Sequence, residues 1–369
     1  MKLDELYDEY GQSPWIDNLR RDWLNDGTLA SLVEQGVRGV TSNPSIFAKT
    51  LATSSAYDAY LDGAAQNGPE EIFEALEVTD VRDACDVLSS VHSDSKREFR
   101  EGVRRYCDGF VSLEVSPYLA RDAVGTAAAA KRLAAEVGRE NLMIKIPATK
   151  EGLGAVSEVL SEGINVNITL IFSIDRYDEV LTAWMDGLER AADNGHDLAA
   201  IASVASFFVS RVDAAVDALL PEGDARRGTT GNAQVARAYQ LYRERIASHR
   251  ATALLSRGAQ VQRPLWASTS TKNPTYYDLL YVDNLVGDET VNTLPDLTLA
   301  AVLDHGDFAI SLLADAQSIA LAAAVLDGLG EDVSLAAVTR RLEDDGVAAF
   351  EKAYDELLAT VASKIQAPN

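Results

Sequence analysis

The sequence predicts an α/β protein built on a single (β/α)8 barrel, with additional helices at the N- and C-terminal ends of the chain. Eight short apolar runs of β-compatible composition alternate with helical segments, and this alternation requires parallel pairing through right-handed crossovers. The eight units extend over about 290 residues, which fits a closed TIM barrel. An open doubly wound sheet is the alternative, but no predicted strand is followed by a Gly-x-Gly-x-x-Gly or Walker-type phosphate loop.

Each predicted strand is a run of residues that favour extended structure, bounded by turn formers or by a polar group. The fourth run is apolar except for Lys145, which is typical of a strand covered on both faces in a parallel sheet. In chain order, the predicted strands are Ser13–Asp17, Val37–Thr41, Phe110–Val115, Leu142–Ile146, Ile164–Phe172, Leu198–Val204, Pro264–Ser268 and Leu279–Asp283.

The segments between these strands have helical spacing of apolar residues, and glycines such as Gly36 and Gly138 mark helix ends. A single domain is expected over residues 1–369, with the barrel core at about 11–305 and a C-terminal helical extension at 306–369. Helices are predicted at residues 1–10, 22–35, 45–105 with a break near Asn67, 121–137, 152–160, 174–192, 208–220, 231–257 and from about 295 to the end.

Composition and charge exclude several classes of protein. The chain has 369 residues, of which 47% are hydrophobic and 24% charged, as is ordinary for a globular protein with a large core. No apolar run approaches the roughly 20 residues that span a bilayer. The acidic N-terminus lacks the apolar core of a signal peptide, so a cytoplasmic location is expected. The net charge of −24 counts against nucleic-acid and membrane partners.

The sequence gives no support to a metal or organic cofactor. Cys85 and Cys107 form neither a disulfide framework nor a zinc motif, and the four histidines have no ligand spacing. An anionic substrate would need a local basic site in so acidic a protein. The oligomeric state is left open between monomer and homodimer.

Lys145 is the residue around which the predicted chemistry is organised. Burial disfavours the ammonium form, and a desolvated neutral amine is the nucleophile of Schiff-base enzymes. The alternative is a strand-end lysine whose ammonium reaches solvent. Polar residues at the ends of all eight predicted strands favour the first interpretation, because active sites of such barrels lie there. These residues are Asp17, Asn43, Glu114, Lys145, Asn167 with Thr169, Ser206, Ser268, and Asp283 with Asn284.

Several of these residues also have a structural interpretation. Asp17 and Glu114 could divide the proton transfers of imine chemistry and C–C cleavage, but Glu114 could instead form a structural ion pair with Lys145. Asn43 precedes Pro44 and could be a helix cap. Arg211 and Lys272 follow strand ends and are candidates for binding an anion, with surface charge as the alternative.

Four motifs, in order along the chain, resemble those of the transaldolase family. Gly39–Ser45 is similar to its strand-two signature and Met143–Thr149 to its Schiff-base lysine motif. Val111–Val115 resembles the family's glutamate strand and Asn167–Ser173 its fifth strand. The resemblance extends from about Asp17 to Asp283.

The resemblance implies roles for individual residues. Lys145 would form the imine with the dihydroxyacetone moiety of a ketose phosphate. Glu114 would act as its acid/base through a water held with Thr169, and Asp17 would exchange the proton of the C4 hydroxyl. The remaining residues would bind substrate: Asn43, Asn167 and Ser206 its hydroxyls, and Arg211, Ser268 and Ser270 its phosphate, with Phe208 at the position where related fructose-6-phosphate aldolases carry tyrosine.

One departure from the family pattern concerns the phosphate. The better-known branch has an arginine two residues after the strand-seven serine, where this chain has Ser270. The run Ala267–Pro274 resembles a second branch with a lysine further on, so Lys272 is expected to supply the charge.

The expected activity is transfer of a dihydroxyacetone unit from sedoheptulose 7-phosphate to glyceraldehyde 3-phosphate, in the pentose phosphate pathway. A Schiff-base aldolase that releases dihydroxyacetone and a non-catalytic sugar-phosphate-binding barrel are the alternatives.

Overall fold

The structure is a computed structural model that describes residues 2–62, 68–330 and 333–366. The helix break predicted at Asn67 and the last three residues of the predicted C-terminal helix lie outside the described residues. None of the helices within these ranges combines the length and apolar character needed to cross a bilayer.

The eight strands found in the described part of the chain form a closed parallel barrel in sequence order, which confirms the predicted fold class. Each strand pairs with the next, and β1 closes the barrel against β8 with Gln12 opposite Thr290 and Ile16 opposite Leu294. The strands are β1 Gln12–Asp17, β2 Val40–Thr41, β3 Val111–Glu114, β4 Leu142–Pro147, β5 Val166–Ile171, β6 Ser203–Phe208, β7 Arg263–Ala267 and β8 Thr290–Leu294.

Helices surround the barrel and extend beyond it at both ends of the chain. Their bounds are α1 Lys2–Asp8, α2 Arg21–Asp26, α3 Thr28–Glu34, α4 Pro44–Thr53, α5 Asp58–Asp62, α6 Pro69–Val87, α7 Ser89–Arg100, α8 Ala123–Val137, α9 Lys150–Ser161, α10 Ile174–Asp193, α11 Ser210–Asp217, α12 Thr230–Ile246, α13 His249–Ser256, α14 Asp296–His305, α15 Ala316–Ala323 and α16 Leu335–Gln366. Short 3-10 turns occur at Pro117–Leu119, Leu198–Ala200, Asp283–Leu285, Phe308–Ile310 and Ala324–Leu329.

The strand register brings three polar side chains together inside the barrel. Lys145 on β4 lies opposite Glu114 on β3 and opposite Asn167 on β5. Because side chains of directly paired residues point to the same face of a sheet, these three groups project into the interior side by side. Every residue of β4 is buried, as the apolar composition of this run predicts.

The predicted position of the eighth strand is wrong. Leu279–Asp283 is a buried irregular segment that ends in a 3-10 turn, and β8 follows at Thr290–Leu294. The run is apolar because Leu279, Tyr281 and Val282 pack in the hydrophobic core. Asn232 Nδ2 holds the segment in place by donating to the Leu280 carbonyl oxygen at 3.2 Å. Asp283 and Asn284 therefore lie before the amino end of β8 and not at its carboxyl end, so their predicted place at the barrel mouth is also wrong. Asp283 accepts a hydrogen bond from Tyr277 Oη at 2.7 Å.

The sixth strand is displaced along the chain from its predicted bounds. Asp197 caps a 3-10 turn at Leu198–Ala200, and the strand begins only at Ser203. Ser206 and Phe208 therefore lie on β6 itself, whereas the prediction placed them after it. The seventh strand ends at Ala267, and Ser268 follows with φ of +57°, in the left-handed region.

A buried charge network closes the end of the barrel opposite the carboxyl ends of the strands. The Arg263 guanidinium lies 3.3 Å from Asp108, and Trp15 Nε1 donates to the same carboxylate at 2.9 Å. Although burial alone would raise it, Arg263 and Arg38 hold the pKa of Asp108 below its ordinary value. Side chains from β1, β7 and the segment before β3 therefore bind one another at this end of the barrel.

The C-terminal helix α16 lies across the other end of the barrel. It packs against α4, α6 and α11, against the carboxyl end of β5, and against the turn at Pro117–Leu119. These elements follow different strands, so the helix covers part of the barrel mouth.

Candidate active site

A cavity of about 380 Å³ opens at the carboxyl ends of the strands. All the residues to which the resemblance gives a catalytic or binding role line this cavity, except Glu114 and Asn167. These two lie beneath it and contact the lining residues Lys145 and Ser206. The predicted residues that line it are Asp17, Asn43, Lys145, Thr169, Ser206, Phe208, Arg211, Ser268, Ser270 and Lys272.

Lys145 lies at the floor of this cavity and is 5% exposed. Its Nζ donates hydrogen bonds to Glu114 Oε2 and to the carbonyl oxygen of Ser42, each at 3.0 Å. The alternative of a lysine that reaches bulk solvent is therefore wrong, and the contact with Glu114 is direct.

Glu114 is buried and has one carboxylate oxygen engaged and one unpaired. Oε2 contacts Lys145, whereas Oε1 has no hydrogen-bond partner among the residues that the structure describes. Burial raises the pKa of Glu114 above its usual range, and the nearby Lys145 ammonium opposes this shift. A carboxyl group in this environment can give and take a proton near neutral pH more readily than an exposed one.

Thr169 supplies a second unpaired polar atom at the same floor, since no residue in the described part of the chain forms a hydrogen bond with its buried Oγ1. The backbone beside it is irregular: the pairing of β5 with β6 shifts register between Ile168 and Ile171, and Leu170 has φ of +59°. Bulges of this kind redirect side chains and are common beside active sites. Buried polar atoms normally have partners, so the two free oxygens fit a group bound from the cavity.

Asp17 ends β1 and is held by a threonine that sequence analysis missed. Thr41 Oγ1 donates to Asp17 Oδ1 at 2.7 Å and lies 2.7 Å from Thr293 Oγ1 on β8. Burial raises the pKa of Asp17, while Lys145 and the bond from Thr41 lower it. Asp17 and Glu114 are thus two carboxyl groups with raised pKa values that both interact with Lys145.

The amide side chains of Asn43 and Asn167 stabilise the local structure and also contribute to the site. Asn43 caps α4, with its Oδ1 accepting from the Ile46 backbone N–H at 3.2 Å, and it also lines the cavity. Asn167 has protein partners at both amide atoms: Ser206 Oγ donates to Oδ1 at 2.7 Å, and Nδ2 donates to Ser112 Oγ at 2.9 Å. Ser206 therefore faces the cavity, and Asn167 positions it.

Two cations, Arg211 and Lys272, line the same cavity as Asp17, whose carboxylate acts electrostatically on both. The Arg211 guanidinium packs 5.1 Å from the Phe208 ring centroid, and Lys272 Nζ donates to Ser270 Oγ at 2.9 Å. Burial lowers the pKa of both, and for Lys272 the positive charge of Arg211 adds to the effect. A pair of desolvated cations in one cavity is suited to an anionic ligand, which would favour the charged form of both.

Sequence analysis also missed lining residues that come from helices. Lys49 projects from α4 into this cavity and into an adjoining cleft, and its ammonium has no ion-pair partner in the described residues. Phe350 comes from α16, far beyond the barrel strands, with its ring centroid 5.5 Å from Lys145 Nζ. A basic residue two turns into the helix after Asn43 could have been noticed, but no local pattern indicates where Phe350 lies.

The structure has a larger concave region of about 810 Å³ near the opposite end of the barrel. In its lining, Arg105 lies 3.2 Å from Glu289, and Glu289 also accepts from Tyr242 Oη at 2.8 Å. No lysine is among the described residues that line it. Among the residues that the structure describes, no group of three or more His, Cys, Asp and Glu side chains could hold a metal ion.

Known proteins resemble this chain over almost its whole length. A transaldolase from Thermobifida fusca is 47% identical over 374 residues, covering 99% of this chain and 98% of its own length. Transaldolases from Mycolicibacterium smegmatis and Trichodesmium erythraeum are 46% and 41% identical, each covering at least 96% of both chains. The profile of the family described as transaldolase/fructose-6-phosphate aldolase matches residues 14–361. The chain therefore belongs to the transaldolase/fructose-6-phosphate aldolase family.

Proposed function

We propose that this protein is a transaldolase that transfers a dihydroxyacetone unit from sedoheptulose 7-phosphate to glyceraldehyde 3-phosphate. The products are erythrose 4-phosphate and fructose 6-phosphate, and the three-carbon unit is carried as a Schiff base on Lys145. The observation that carries the proposal is the buried contact between Lys145 Nζ and Glu114 Oε2, at the floor of a cavity that also holds Asp17, Arg211 and Lys272.

Imine formation begins with attack of the Lys145 amine on the C2 carbonyl of the ketose. Glu114 takes one proton from the Lys145 ammonium and later a second from the carbinolamine nitrogen, and it passes both to the former carbonyl oxygen, which leaves as water. The raised pKa of Glu114 suits both directions of this transfer. Its free Oε1 and the free Oγ1 of Thr169 are the groups that would hold that water.

The C3–C4 bond then breaks as Asp17 takes the proton from the C4 hydroxyl. The bonding electrons pass into the iminium, giving an enamine on Lys145, and the phosphorylated aldehyde departs. The acceptor aldehyde enters, the enamine carbon attacks it, and Asp17 returns the proton to the new hydroxyl. Hydrolysis of the imine through Glu114 releases the new ketose and restores the lysine.

The phosphate would lie between Arg211 and Lys272, with Ser268 and Ser270 as neutral donors. Ser210 Oγ contacts the backbone oxygen of Ser268 at 2.6 Å, which ties the end of β7 to the start of α11, where Arg211 lies. A dianion there would offset the mutual repulsion of the two cations.

Transfer is favoured over the aldolase alternative by the relatives, which carry the name transaldolase. Phe208 lines the cavity where a tyrosine hydroxyl would add a proton donor. A place in the pentose phosphate pathway, a cytoplasmic location and a monomeric or homodimeric state belong to this proposal as expectations from the sequence.

Borohydride reduction in the presence of fructose 6-phosphate tests the mechanism. We expect a covalent three-carbon or six-carbon adduct on the peptide that contains Lys145, and no adduct in Lys145→Arg, which keeps the charge but cannot form an imine. Formation of sedoheptulose 7-phosphate from fructose 6-phosphate and erythrose 4-phosphate tests transfer. Normal turnover by Lys145→Arg would overturn the assignment of the lysine.

A further inference from the structure

We propose that Phe350, on the C-terminal helix α16, is a positioning residue that covers the Lys145 adduct and so favours transfer of the three-carbon unit over its release by water. This inference rests on the proposed function, because it concerns the fate of the same adduct.

Phe350 is placed directly over the reacting nitrogen. It lines the cavity, its ring centroid is 5.5 Å from Lys145 Nζ, and it is 6% exposed. It belongs to an apolar cluster that includes Phe172, Phe208 and Val347. The ring therefore closes the cavity above the lysine with apolar surface.

A glycine one turn earlier allows the helix to approach this closely. A Cβ at Gly346 would lie 3.1 Å from Leu170 Cδ2 and 3.4 Å from Phe172 Cε2. Leu170 is the residue with positive φ at the irregular end of β5, next to Thr169. Residues four apart share one helix face, so the close approach at Gly346 directs Phe350 toward the cavity.

Side-chain contacts fix the helix across the mouth at several points along its length. Exposed ion pairs contribute little individually, but these partners follow three different strands of the barrel and so determine the direction of the helix. The contacts are Arg176 with Glu343 at 3.4 Å, Arg121 with Asp344 at 2.6 Å, Glu70 with Tyr354 at 3.3 Å and Asp58 with Lys364 at 2.9 Å.

The chemistry explains why such a cover matters. After C–C cleavage, the enamine on Lys145 can attack an acceptor aldehyde, which is transfer. It can instead take a proton at C3, after which water adds to C2, the C2–N bond breaks, and free dihydroxyacetone leaves the regenerated amine. The second course consumes one proton at carbon and one water without any redox change. An apolar ring over the adduct restricts water and proton donors and leaves the transfer course open.

Phe208 affects the site by lacking the hydroxyl group of a tyrosine, whereas Phe350 would act by covering the adduct from outside the strands and loops of the barrel. Phe208 is part of β6, whereas Phe350 is brought to the site by helix packing alone. Water exclusion in this protein would thus depend on the docking of α16.

The test compares two rates in the full-length enzyme: release of dihydroxyacetone from fructose 6-phosphate without acceptor, and transfer to erythrose 4-phosphate. We expect Phe350→Ala to raise the ratio of release to transfer by about tenfold or more, since water enters a site that must exclude it. Phe350→Leu, which keeps apolar bulk, should bring the ratio back toward that of the unchanged protein. Val347→Ala removes apolar volume from the same cluster without touching the cavity lining and should leave the ratio unchanged.

Borohydride trapping on Lys145 separates the two proposals. If the unchanged protein forms no adduct, the proposed function fails. If Phe350→Ala forms the adduct but its ratio of release to transfer equals that of the unchanged protein, the role of Phe350 is wrong. The same conclusion follows if Val347→Ala raises the ratio as much as Phe350→Ala does. If the alanine variant does not fold, a ratio for Phe350→Leu no higher than that for Val347→Ala would likewise contradict the role of Phe350.

Discussion

Lys145 Nζ lies 3.0 Å from Glu114 Oε2, and both side chains are withdrawn from bulk water at the floor of the cavity. A buried ion pair is seldom a gain in stability, because desolvation of two charges opposes their attraction. Here the same pair supplies a nucleophile and the group that exchanges protons with it. The structural ion pair considered as an alternative for Glu114 is therefore present, and it is the arrangement that the proposed chemistry requires.

Glu114→Gln keeps the shape of the side chain but removes its ability to exchange a proton. We expect turnover to fall by more than about 100-fold, the usual contribution of a general acid–base. Imine formation itself should slow, so borohydride with fructose 6-phosphate should trap the adduct on Lys145 far more slowly than in the unchanged protein. Trapping at the normal rate would place the acid–base role on another residue. Glu74→Gln, on the outer face of α6, is the matched control and should have normal activity.

Asp17→Asn should separate the two halves of the reaction. Asp17 is assigned to the C4 hydroxyl, so the variant should still form the imine and be trapped by borohydride, while release of the aldehyde product falls by more than about 100-fold. A rapid-quench measurement of both steps checks this. Loss of trapping together with loss of turnover would contradict the division of roles. Asp22, which pairs with Arg20 at 2.6 Å outside the cavity, offers Asp22→Asn as a control.

The barrel was predictable because its signal is repeated along the chain. Apolar runs alternate with helical spacing eight times, and the closed parallel barrel agrees with that count. The lysine strand was predicted within one residue, since Leu142–Pro147 is apolar on both faces apart from Lys145. The last strand was missed because Thr290–Leu294 is short and largely polar, whereas the buried segment near Tyr281 has the composition of a strand. Periodicity cannot distinguish these two cases.

The candidate site was predictable where its residues stand in the strands or directly after them. Parallel strands bring their carboxyl ends to one edge, so Asp17, Lys145 and Ser206 could be placed together from chain order alone. The place of Phe350 could not be predicted, because the apolar spacing of α16 shows that one helix face is buried but does not show which residues cover it. The contacts that decide this involve residues some 300 positions away, as between Asp58 and Lys364.

Lys272→Gln tests the predicted replacement for the missing arginine. We expect KM for fructose 6-phosphate to rise about tenfold or more, because a hydrogen bond to a charged group contributes about 1.5–3 kcal/mol. Turnover at saturation and the reaction of unphosphorylated fructose should change little. Equal effects on the two substrates would show that Lys272 does not bind phosphate. Lys96→Gln makes the same change of charge at a lysine that pairs with Glu140 away from the cavity, and it should leave KM unaltered.

Glu77 is a buried carboxyl group on α6, behind the strand that carries Glu114, and the proposed mechanism does not use it. Burial raises the pKa of Glu77 well above its usual range, and repulsion from the Glu114 carboxylate adds to this shift. At pH values below the ordinary glutamate pKa of 4.5, Glu77 is protonated in both the folded and the unfolded chain. Its titration therefore does not lower the free energy of unfolding at such pH. As pH rises above that value, the unfolded chain releases its proton first, and the free energy of unfolding falls.

Glu77→Gln removes this titration and should therefore stabilise the protein in a pH-dependent manner. We expect the variant to unfold at a temperature higher by about 2 °C or more at pH 8, the shift that about 1 kcal/mol produces in a domain of a few hundred residues. The difference should shrink as pH is lowered and vanish near pH 4, as thermal unfolding measured across this range would show. Glu74→Gln, on the same helix but partly exposed and paired with Arg132, should not stabilise the protein at pH 8. A stabilisation by Glu77→Gln that is the same at pH 4 and pH 8 would mean that side-chain packing, and not the buried charge, determines the effect.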